Sequence, residues 1–216
     1  MTDTPNDVHH RLWHVLTPGI PREQSQELYR TWAPLYEQDM KTSHYNGPRQ
    51  VAETLVKALG SRSNARVLDV AAGTGFVGEE LLKQGFSNLD ALDASQEMLD
   101  IARTKQVYNN FILDFLGANR LNIEDDTYDA TSCCGAFCEG HVKCDCLEEL
   151  VRVVKPGGFV CVGIRKFFLE TVEEYHKLEP LMADLQRRGL WEPISRTVTQ
   201  DYCEGYDGVV FLFRVK

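Results

Sequence analysis

The first 60 residues carry hydrophobic positions at helical spacing. Apolar side chains recur every three or four residues between Gln24 and Met40, which predicts an amphipathic helix. The side chains that form its apolar stripe are Leu28, Trp32 and Tyr36. Pro34 is expected to break or kink this helix, since proline removes a backbone donor. A second helix is predicted over Pro48–Leu59.

From residue 66 onward, short apolar runs alternate with helical patterns. The predicted strands are Arg66–Val70, Asn88–Asp93, Asn110–Asp114, Tyr128–Cys134 and Phe159–Ile164. The predicted helices are Gly75–Gly85, the Ser95-capped segment to Thr104, Leu147–Val154 and a long helix near Leu169–Gly189, with a stop at Lys155–Gly158. Strands that are apolar on both sides are typical of a parallel sheet covered by helices.

The last two predicted strands form a hairpin. Thr197–Glu204 and Val209–Val215 are joined by residues 205–208 alone, and a parallel crossover needs a dozen residues or more. The pattern predicts an α/β, Rossmann-like, doubly wound and mostly parallel seven-stranded sheet, with one antiparallel strand in a C-terminal hairpin and helices on both faces. An N-terminal helical cap, or lid, over residues 1–47 is expected to join a core at residues 48–216 in one compact domain.

The turn after the first strand carries a glycine motif. Residues 73–78 read GTGFVG, which matches the G-x-G-x-x-G dinucleotide fingerprint. Asp93 ends the second strand 18 residues after Gly75, where an acid meets ribose hydroxyls. NAD and S-adenosylmethionine both have that ribose, so neither feature separates the two cofactors.

Asp69 distinguishes between NAD and S-adenosylmethionine as the cofactor. It lies inside the first strand, where the NAD pattern has an apolar residue, and a buried carboxylate costs several kcal/mol unless it is neutralised. The pyrophosphate of NAD would add repulsion at this turn. The ammonium and sulfonium groups of S-adenosylmethionine account for an acid here.

Four segments together resemble the class I S-adenosylmethionine-dependent methyltransferases. They are VLDVAAGTG at 67–75, LDASQEML at 92–99, YDA at 128–130, and 147–158 ending in KPGG. The segments YRTWAPLYEQD at 29–39 and GLWE at 189–192 are similar to the Williams–Beuren-region methyltransferase-like proteins. This resemblance covers nearly the whole chain and implies the Rossmann-like fold and S-adenosyl-L-methionine as cofactor.

The resemblance also implies cofactor-binding positions. They are Asp69, Ala71, Gly73, Gly75, Asp93, Ala94, Met98, Asp114 and Tyr36. The acid at 69 and the two glycines would line the methionyl end, Asp93 the ribose and Met98 the adenine face. Asp114 stands where the family has an acid at the adenine amino group, although its context is Leu-Asp-Phe and not Gly-Asp-Ala. Tyr36 would belong to the lid.

Charge limits the partners. The chain has 23 lysines and arginines against 32 acids, a formal charge of −9, whereas nucleic-acid binders need positive charge for the phosphates. No apolar run reaches the roughly 20 residues of a membrane span. We expect a cytoplasmic protein, monomeric or weakly dimeric, that binds a small-molecule methyl acceptor and neither nucleic acid nor membrane.

Five of the seven cysteines lie between residues 133 and 146. An odd count without a secretory signal favours reduced thiols. Adjacent Cys133 and Cys134 point to opposite faces of a strand, so no metal is expected. The thiols are interpreted as small buried hydrophobes, with a thiophilic substrate such as arsenite as the alternative.

The predicted activity is methyl transfer to nitrogen or oxygen of a small acceptor. His141, on the loop after the fourth strand, is the candidate catalytic residue. Its imidazole could take a proton from the acceptor, orient the acceptor, or only cap a helix. Two alternative functions remain open from the sequence: an NAD(P)-dependent oxidoreductase, and a cofactor-binding regulatory protein without catalysis.

Overall fold

The computed structural model describes the backbone of residues 5–216 and the side chains of residues 7–21 and 23–216. Its eight α-helices are α1 Pro5–His14, α2 Arg22–Thr42, α3 Gly47–Leu59, α4 Phe76–Lys83, α5 Gln96–Thr104, α6 Leu147–Arg152, α7 Lys166–Thr171 and α8 Leu178–Arg187. Its seven strands are β1 Val67–Val70, β2 Leu89–Asp93, β3 Asn110–Leu113, β4 Tyr128–Cys134, β5 Val154–Arg165, β6 Trp191–Cys203 and β7 Tyr206–Val215. Short 3₁₀ turns occupy Cys144–Cys146 and Glu173–Lys177. The first four residues of the predicted cap lie outside the described part.

The seven strands form one sheet in the order β3-β2-β1-β4-β5-β7-β6. Strands β1 to β5 pair in parallel, whereas β7 is antiparallel to both β5 and β6. Six strands therefore share one direction, which confirms the predicted fold class. The antiparallel strand lies inside the sheet, and β6 is the outermost strand on that side. Because the six strands run in one direction, their carboxyl ends lie on one side of the sheet. The segments that follow Val70, Asp93, Cys134, Arg165 and Cys203 meet there, at the carboxyl edge.

Both faces of the sheet are covered. Alternate residues of each central strand point to opposite faces. One face packs against α3, α4 and α5 through side chains such as Leu55, Leu81 and Leu99. The other packs against α6 and α8 through Leu150 and Leu185, with the N-terminal helices continuing this layer. Across residues 5–216 we find no helix with the length and hydrophobicity that a membrane crossing requires.

Of the two outcomes predicted at Pro34, a break or a kink, the break is wrong, because α2 continues through Pro34 to Thr42, and the kink stays a prediction. A proline costs a helix one hydrogen bond, and here the neighbouring turns are held by packing. Trp32 and Ala33 are both buried, and the indole Nε1 of Trp32 donates to Asp39 at 2.7 Å. The tertiary contacts of the helix outweigh the local preference.

The predicted long helix near Leu169–Gly189 is also wrong. Val172, with φ −101° and ψ 117°, is extended and ends the first helical segment. Helix α8 begins at Leu178, with Pro180 in its first turn, where a missing N–H costs little. The hairpin is confirmed, with a tighter turn than predicted. Glu204 and Gly205, at φ 52° and 75°, form a two-residue link of the kind that fits the strand twist.

Candidate active site

A cavity of about 830 Å³, its open mouth included, lies at the carboxyl edge of the sheet. Eight predicted site residues line it: Tyr36, Ala71, Gly73, Asp93, Ala94, Met98, Asp114 and His141. Asp69 and Gly75 do not. Asp93 and Asp114 are the carboxyl side chains among its described lining residues, where no lysine or arginine is found. This acidic lining suits a ligand with a cationic group better than one with a pyrophosphate.

Gly73 exposes its backbone to the cavity. Its φ is +55°, and a Cβ atom built there would meet nothing within 4 Å. The space beside it is therefore open to a ligand, which suits close approach to the main chain. The Gly73 amide donates to Asp93 Oδ2 at 2.7 Å, so the turn and the acid are fixed to each other.

The other two glycines of the motif make room for Tyr108. A Cβ on Gly75 would lie 2.9 Å from the Tyr108 ring, and one on Gly78 would collide with it. The Tyr108 hydroxyl accepts from the Gly78 amide at 3.2 Å and donates to Asp69 Oδ2 at 2.5 Å. Tyr108 thus supports the glycine turn from beneath, a role that the sequence analysis missed.

Asp69 is enclosed below this turn. It shares a face of the sheet with Val67, on the side of Tyr108, and Ser132 Oγ donates to its Oδ1 at 2.7 Å. Burial raises its pKa from the ordinary 3.8 to about 6, against the opposing effect of the two hydroxyl donors. The predicted direct contact with a ligand is not part of this geometry, and its role stays a prediction.

Asp93 is anchored at both oxygens. Oδ1 accepts from the Ser95 amide at 2.9 Å, and Oδ2 accepts from Gly73. Burial raises its pKa, and these amide donors act against that rise. Each carboxylate oxygen retains a further acceptor position, so the group can also receive two hydroxyl donors from a ligand.

Met98 and Asp114 lie beside this acid. Met98 is on α5, which Ser95 caps by accepting from the Met98 amide at 3.2 Å, and its buried side chain forms an apolar wall. Asp114 directly follows β3. Its Oδ1 accepts from the Phe115 amide at 2.7 Å, and the residue lies in the cavity wall.

His141 lies in the wall with its ring held at both nitrogens. Nδ1 is 2.6 Å from the Glu139 carbonyl oxygen, and Nε2 is 2.8 Å from the Tyr29 hydroxyl. Because a carbonyl only accepts, the network assigns the ring proton to Nδ1 and makes Nε2 the acceptor for Tyr29. Burial lowers the pKa of His141, so the ring is neutral at neutral pH.

A second, smaller chamber adjoins the cavity. It measures about 440 Å³ and shares Tyr29, Tyr36, Tyr45 and Gly135 with the first. We call the three shared tyrosines the tyrosine wall. The chamber is mostly apolar, with Leu12, Leu16, Met40, Phe137 and Phe168 among its lining residues. Sequence analysis did not find Tyr29, although its spacing from Trp32 and Tyr36 extends the aromatic stripe of α2.

All seven cysteines are free thiols, and three of them, Cys134, Cys138 and Cys203, line these chambers. The Cys134 thiol is 3.3 Å from the Tyr45 hydroxyl and 3.1 Å from that of Tyr202. Burial raises the pKa of Cys134 and of Cys138 to about 12, so both remain protonated at neutral pH. Within residues 5–216 no three metal-ligating side chains are grouped as a metal site. The absence of a metal stays a prediction.

Comparison with known proteins gives concordant matches. The family described as "Methyltransferase domain" matches residues 67–158. Methyltransferase-like protein 27 of Homo sapiens is 38% identical over 188 residues, covering 84% of this chain and 76% of that protein. Demethylmenaquinone methyltransferase of Renibacterium salmoninarum is 32% identical over 131 residues, covering 61% of this chain and 54% of its own length.

A solved structure shows the same fold. It is the 1,6-didemethyltoxoflavin-N1-methyltransferase of Burkholderia thailandensis, which was crystallised with 1,6-didemethyltoxoflavin and S-adenosylhomocysteine. The TM-score is 0.62 at 16% identity, and the match covers 100% of this chain and 92% of that one.

Proposed function

The chain belongs to the class I S-adenosylmethionine-dependent methyltransferases, and from this premise we propose that it methylates a nitrogen or oxygen atom of a small molecule. The observation that carries the proposal is the second chamber, which adjoins the larger cavity through the tyrosine wall. Its volume is about 440 Å³ with the open space at its mouth included, and its lining is mostly apolar, with Arg165 as its one cation among the described residues. The relative that methylates demethylmenaquinone is in keeping with a small acceptor.

S-adenosylmethionine is the cofactor, and the larger cavity fits it. In the proposed arrangement Asp93 accepts hydrogen bonds from the ribose hydroxyls and Met98 packs on the adenine. Ala71 and Gly73 bring main chain to the methionyl end, and Asp114 meets the adenine amino group. Ala94 completes the wall, and Tyr36 covers the cavity from α2.

Asp69 and Gly75 act in this proposal as positioning residues. Asp69 accepts from Tyr108, whose ring fills the space that Gly75 leaves open. The acid therefore influences the methionyl end through the shape and field of the turn. Direct contact is not required for that influence, because charge acts over several ångströms in a buried environment.

The cofactor supplies a methyl group that is already activated by its positive sulfur. The protein's main task is therefore to align the acceptor and to exclude water. The Tyr29 oxygen donates its proton toward His141 Nε2, so its lone pairs can accept a hydrogen bond from an acceptor N–H or O–H. As the acceptor is methylated, its proton passes to Tyr29 and the Tyr29 proton passes to His141. His141 thus acts through Tyr29 as the final proton acceptor.

The described part of the predicted cap, residues 5–47, forms the lid in this proposal. Helix α1 contributes Leu12 to the acceptor chamber, the turn after it contributes Leu16, and α2 contributes the first two residues of the tyrosine wall. The Arg11 guanidinium holds the two helices together through a bidentate pair with Asp39, with N–O distances of 2.6 and 2.8 Å. In this proposal the two helices move together as the acceptor enters or leaves.

Calorimetry and a transfer assay test the proposal. Purified protein is expected to bind S-adenosylmethionine and S-adenosylhomocysteine in the micromolar range and to show no comparable binding of NAD or NADP. Incubation with labelled cofactor and metabolite fractions is expected to label a small molecule. Label found only in protein or nucleic acid would contradict the small-acceptor proposal.

A further inference from the structure

Arg165 is a buried cation at the far wall of the acceptor chamber. It ends β5, it is only 7% exposed, and it lines the second chamber without reaching the first. Its guanidinium carbon lies 5.8 Å from the centre of the Trp13 ring and 5.7 Å from that of Phe168. A charge in such surroundings needs acceptors for its donors.

The protein supplies those acceptors only in part. Nη2 donates to Cys203 Sγ at 2.9 Å. Nη1 has no hydrogen-bond partner among the described residues. Its nearest charged neighbour is Glu204 Oε2 at 3.8 Å, which is too far for a hydrogen bond, and that oxygen also lacks a donor. The other Glu204 oxygen is 3.1 Å from His9 Nδ1, so this carboxylate is shared between two groups.

From these contacts we propose that the acceptor carries a carboxylate and that Arg165 binds it; this inference rests on the proposed methyl transfer. The free donor of a buried guanidinium is satisfied by a carboxylate oxygen, and charge-assisted bonds of this kind are about twice as strong as neutral ones. The apolar lining, which includes Leu12, Met40 and Phe137, suits an aromatic or aliphatic body on the same molecule.

The carboxylate is the anchor and not the methylated group. Arg165 does not line the cofactor cavity, whereas all three residues of the tyrosine wall line both spaces. An acceptor held by Arg165 at one end therefore presents its other end to the tyrosine wall. The methylated atom is a hydroxyl oxygen or amine nitrogen at that end, and the substrate class is a small hydroxy or amino acid with an apolar body.

Matched acid and amide probes test this inference. Protein saturated with S-adenosylhomocysteine is titrated calorimetrically with 4-hydroxyphenylacetate and 4-hydroxybenzoate, and with the carboxamide of each. At least one carboxylate is expected to bind about tenfold more tightly than its amide, because only the carboxylate offers a charged acceptor. Equal affinities within both pairs would overturn the inference.

Two variants assign the preference to Arg165. Arg165→Gln is expected to reduce the acid-over-amide ratio to about two or less while S-adenosylhomocysteine affinity stays unchanged, since the residue is outside that cavity. Glu204→Gln removes the competing carboxylate and is expected to tighten acid binding about threefold or more. A preference that survives Arg165→Gln would overturn the assignment.

If Arg165→Gln does not fold, Glu204→Gln still tests the inference. If Arg165 served only to pair with Glu204, Glu204→Gln would lower thermal stability without tightening acid binding, and that result would overturn the inference. Failure of S-adenosylhomocysteine to bind the wild-type protein would instead contradict the proposed function. Titration of the probes without cofactor then still tests the anion site by itself.

Discussion

The two chambers are lined by different kinds of chemical group. The cofactor cavity is formed largely by backbone and short side chains at the ends of β1, β2 and β3, with Asp93 fixed by two amide donors. The acceptor chamber is formed by long side chains from distant elements, such as Leu12 of α1, Tyr29 of α2 and Arg165 of β5. The residues after β1, β2 and β3 are placed by the strands that precede them, while Tyr29 and Tyr36 of α2 and the loop after β4 complete the cavity. The acceptor chamber depends on how the N-terminal helices pack against the sheet.

This difference separates what a substitution can do on each side. Removing a side chain from the cofactor cavity is expected to weaken cofactor binding. A side chain removed from the tyrosine wall alters the alignment of the acceptor or the path of its proton. The two kinds of effect appear in different measurements, cofactor affinity and turnover.

The largest expected effect is on turnover, from Tyr29→Phe or His141→Ala. Either change breaks the hydrogen bond between the Tyr29 hydroxyl and His141 Nε2. We expect turnover to fall roughly 10²-fold or more, the usual scale for a lost acid–base group, with cofactor affinity nearly unchanged. Rates with an identified acceptor and calorimetric dissociation constants measure the two quantities.

His176→Ala is the matched control, since this histidine is exposed and its Nε2 lies 3.2 Å from the Glu170 carbonyl oxygen, away from both chambers. The acid limb of the rate profile is expected below pH 6.5, because burial lowers the pKa of His141 from that ordinary value. Full turnover in both variants would remove the pair from the chemistry. Lost cofactor binding would make its role structural.

The next effect is on cofactor affinity, from Asp93→Ala. The substitution removes the acceptor for ribose hydroxyls and also the partner of the Gly73 amide. Binding of S-adenosylhomocysteine is expected to weaken by about 1 to 3 kcal/mol, the cost of unmade hydrogen bonds. Asp100→Ala on α5 is the control, because that acid is paired with Arg103 on the surface. An unchanged dissociation constant for Asp93→Ala would move the ribose elsewhere.

Much of the cofactor cavity could be predicted from the sequence because many of its residues lie close together along the chain. One stretch, residues 67–114, contains the glycine turn and both cavity acids. Tyr108 lies in the same stretch. Gly78 is the feature of the sequence that could have indicated it, because a glycine that does not face the ligand leaves room for a large neighbouring side chain. The residues of the acceptor chamber could not be predicted from one stretch of sequence. Tyr29 and His141 are 112 residues apart, and their contact follows from the packing of α2.

Arg165 shows a different limit. A cation directly after an apolar strand is visible in the sequence, at the edge where ligands bind. Its burial is not visible, because it depends on Trp13, Phe168 and Cys203 from three other segments. The break predicted at Pro34 failed for the same reason, as distant contacts decided a local question.

A smaller effect is expected on stability, from Asp69→Asn. The folded-state pKa of about 6 lies above the ordinary 3.8, so the folded protein binds this proton more tightly than the unfolded chain. Ionisation between about pH 4 and pH 6 therefore lowers the free energy of unfolding, by an amount on the order of 2 kcal/mol. The variant cannot ionise, and its unfolding free energy is expected to fall less over this range. Denaturant titrations at several pH values measure the difference, with Asp100→Asn as the control. Parallel curves for wild type and Asp69→Asn would contradict the assignment.

The smallest expected effect concerns Asp114, whose Leu-Asp-Phe context departs from the family pattern. Asp114→Asn keeps the shape of the side chain and one acceptor oxygen, so S-adenosylhomocysteine binding is expected to weaken only about two- to fivefold.

The informative comparison uses S-inosylhomocysteine, which has a carbonyl oxygen in place of the adenine amino group. Wild-type protein is expected to prefer the adenosine compound, because the amino group donates to Asp114 and the carbonyl repels it. The variant's amide can rotate to offer a donor, so this preference is expected to shrink. The four dissociation constants form a double-mutant cycle whose coupling measures this one contact. A coupling of zero would show that Asp114 lines the cavity without contacting the adenine amino group, and Asp93 would then be the acid that distinguishes this cavity from an apolar one, at the ribose.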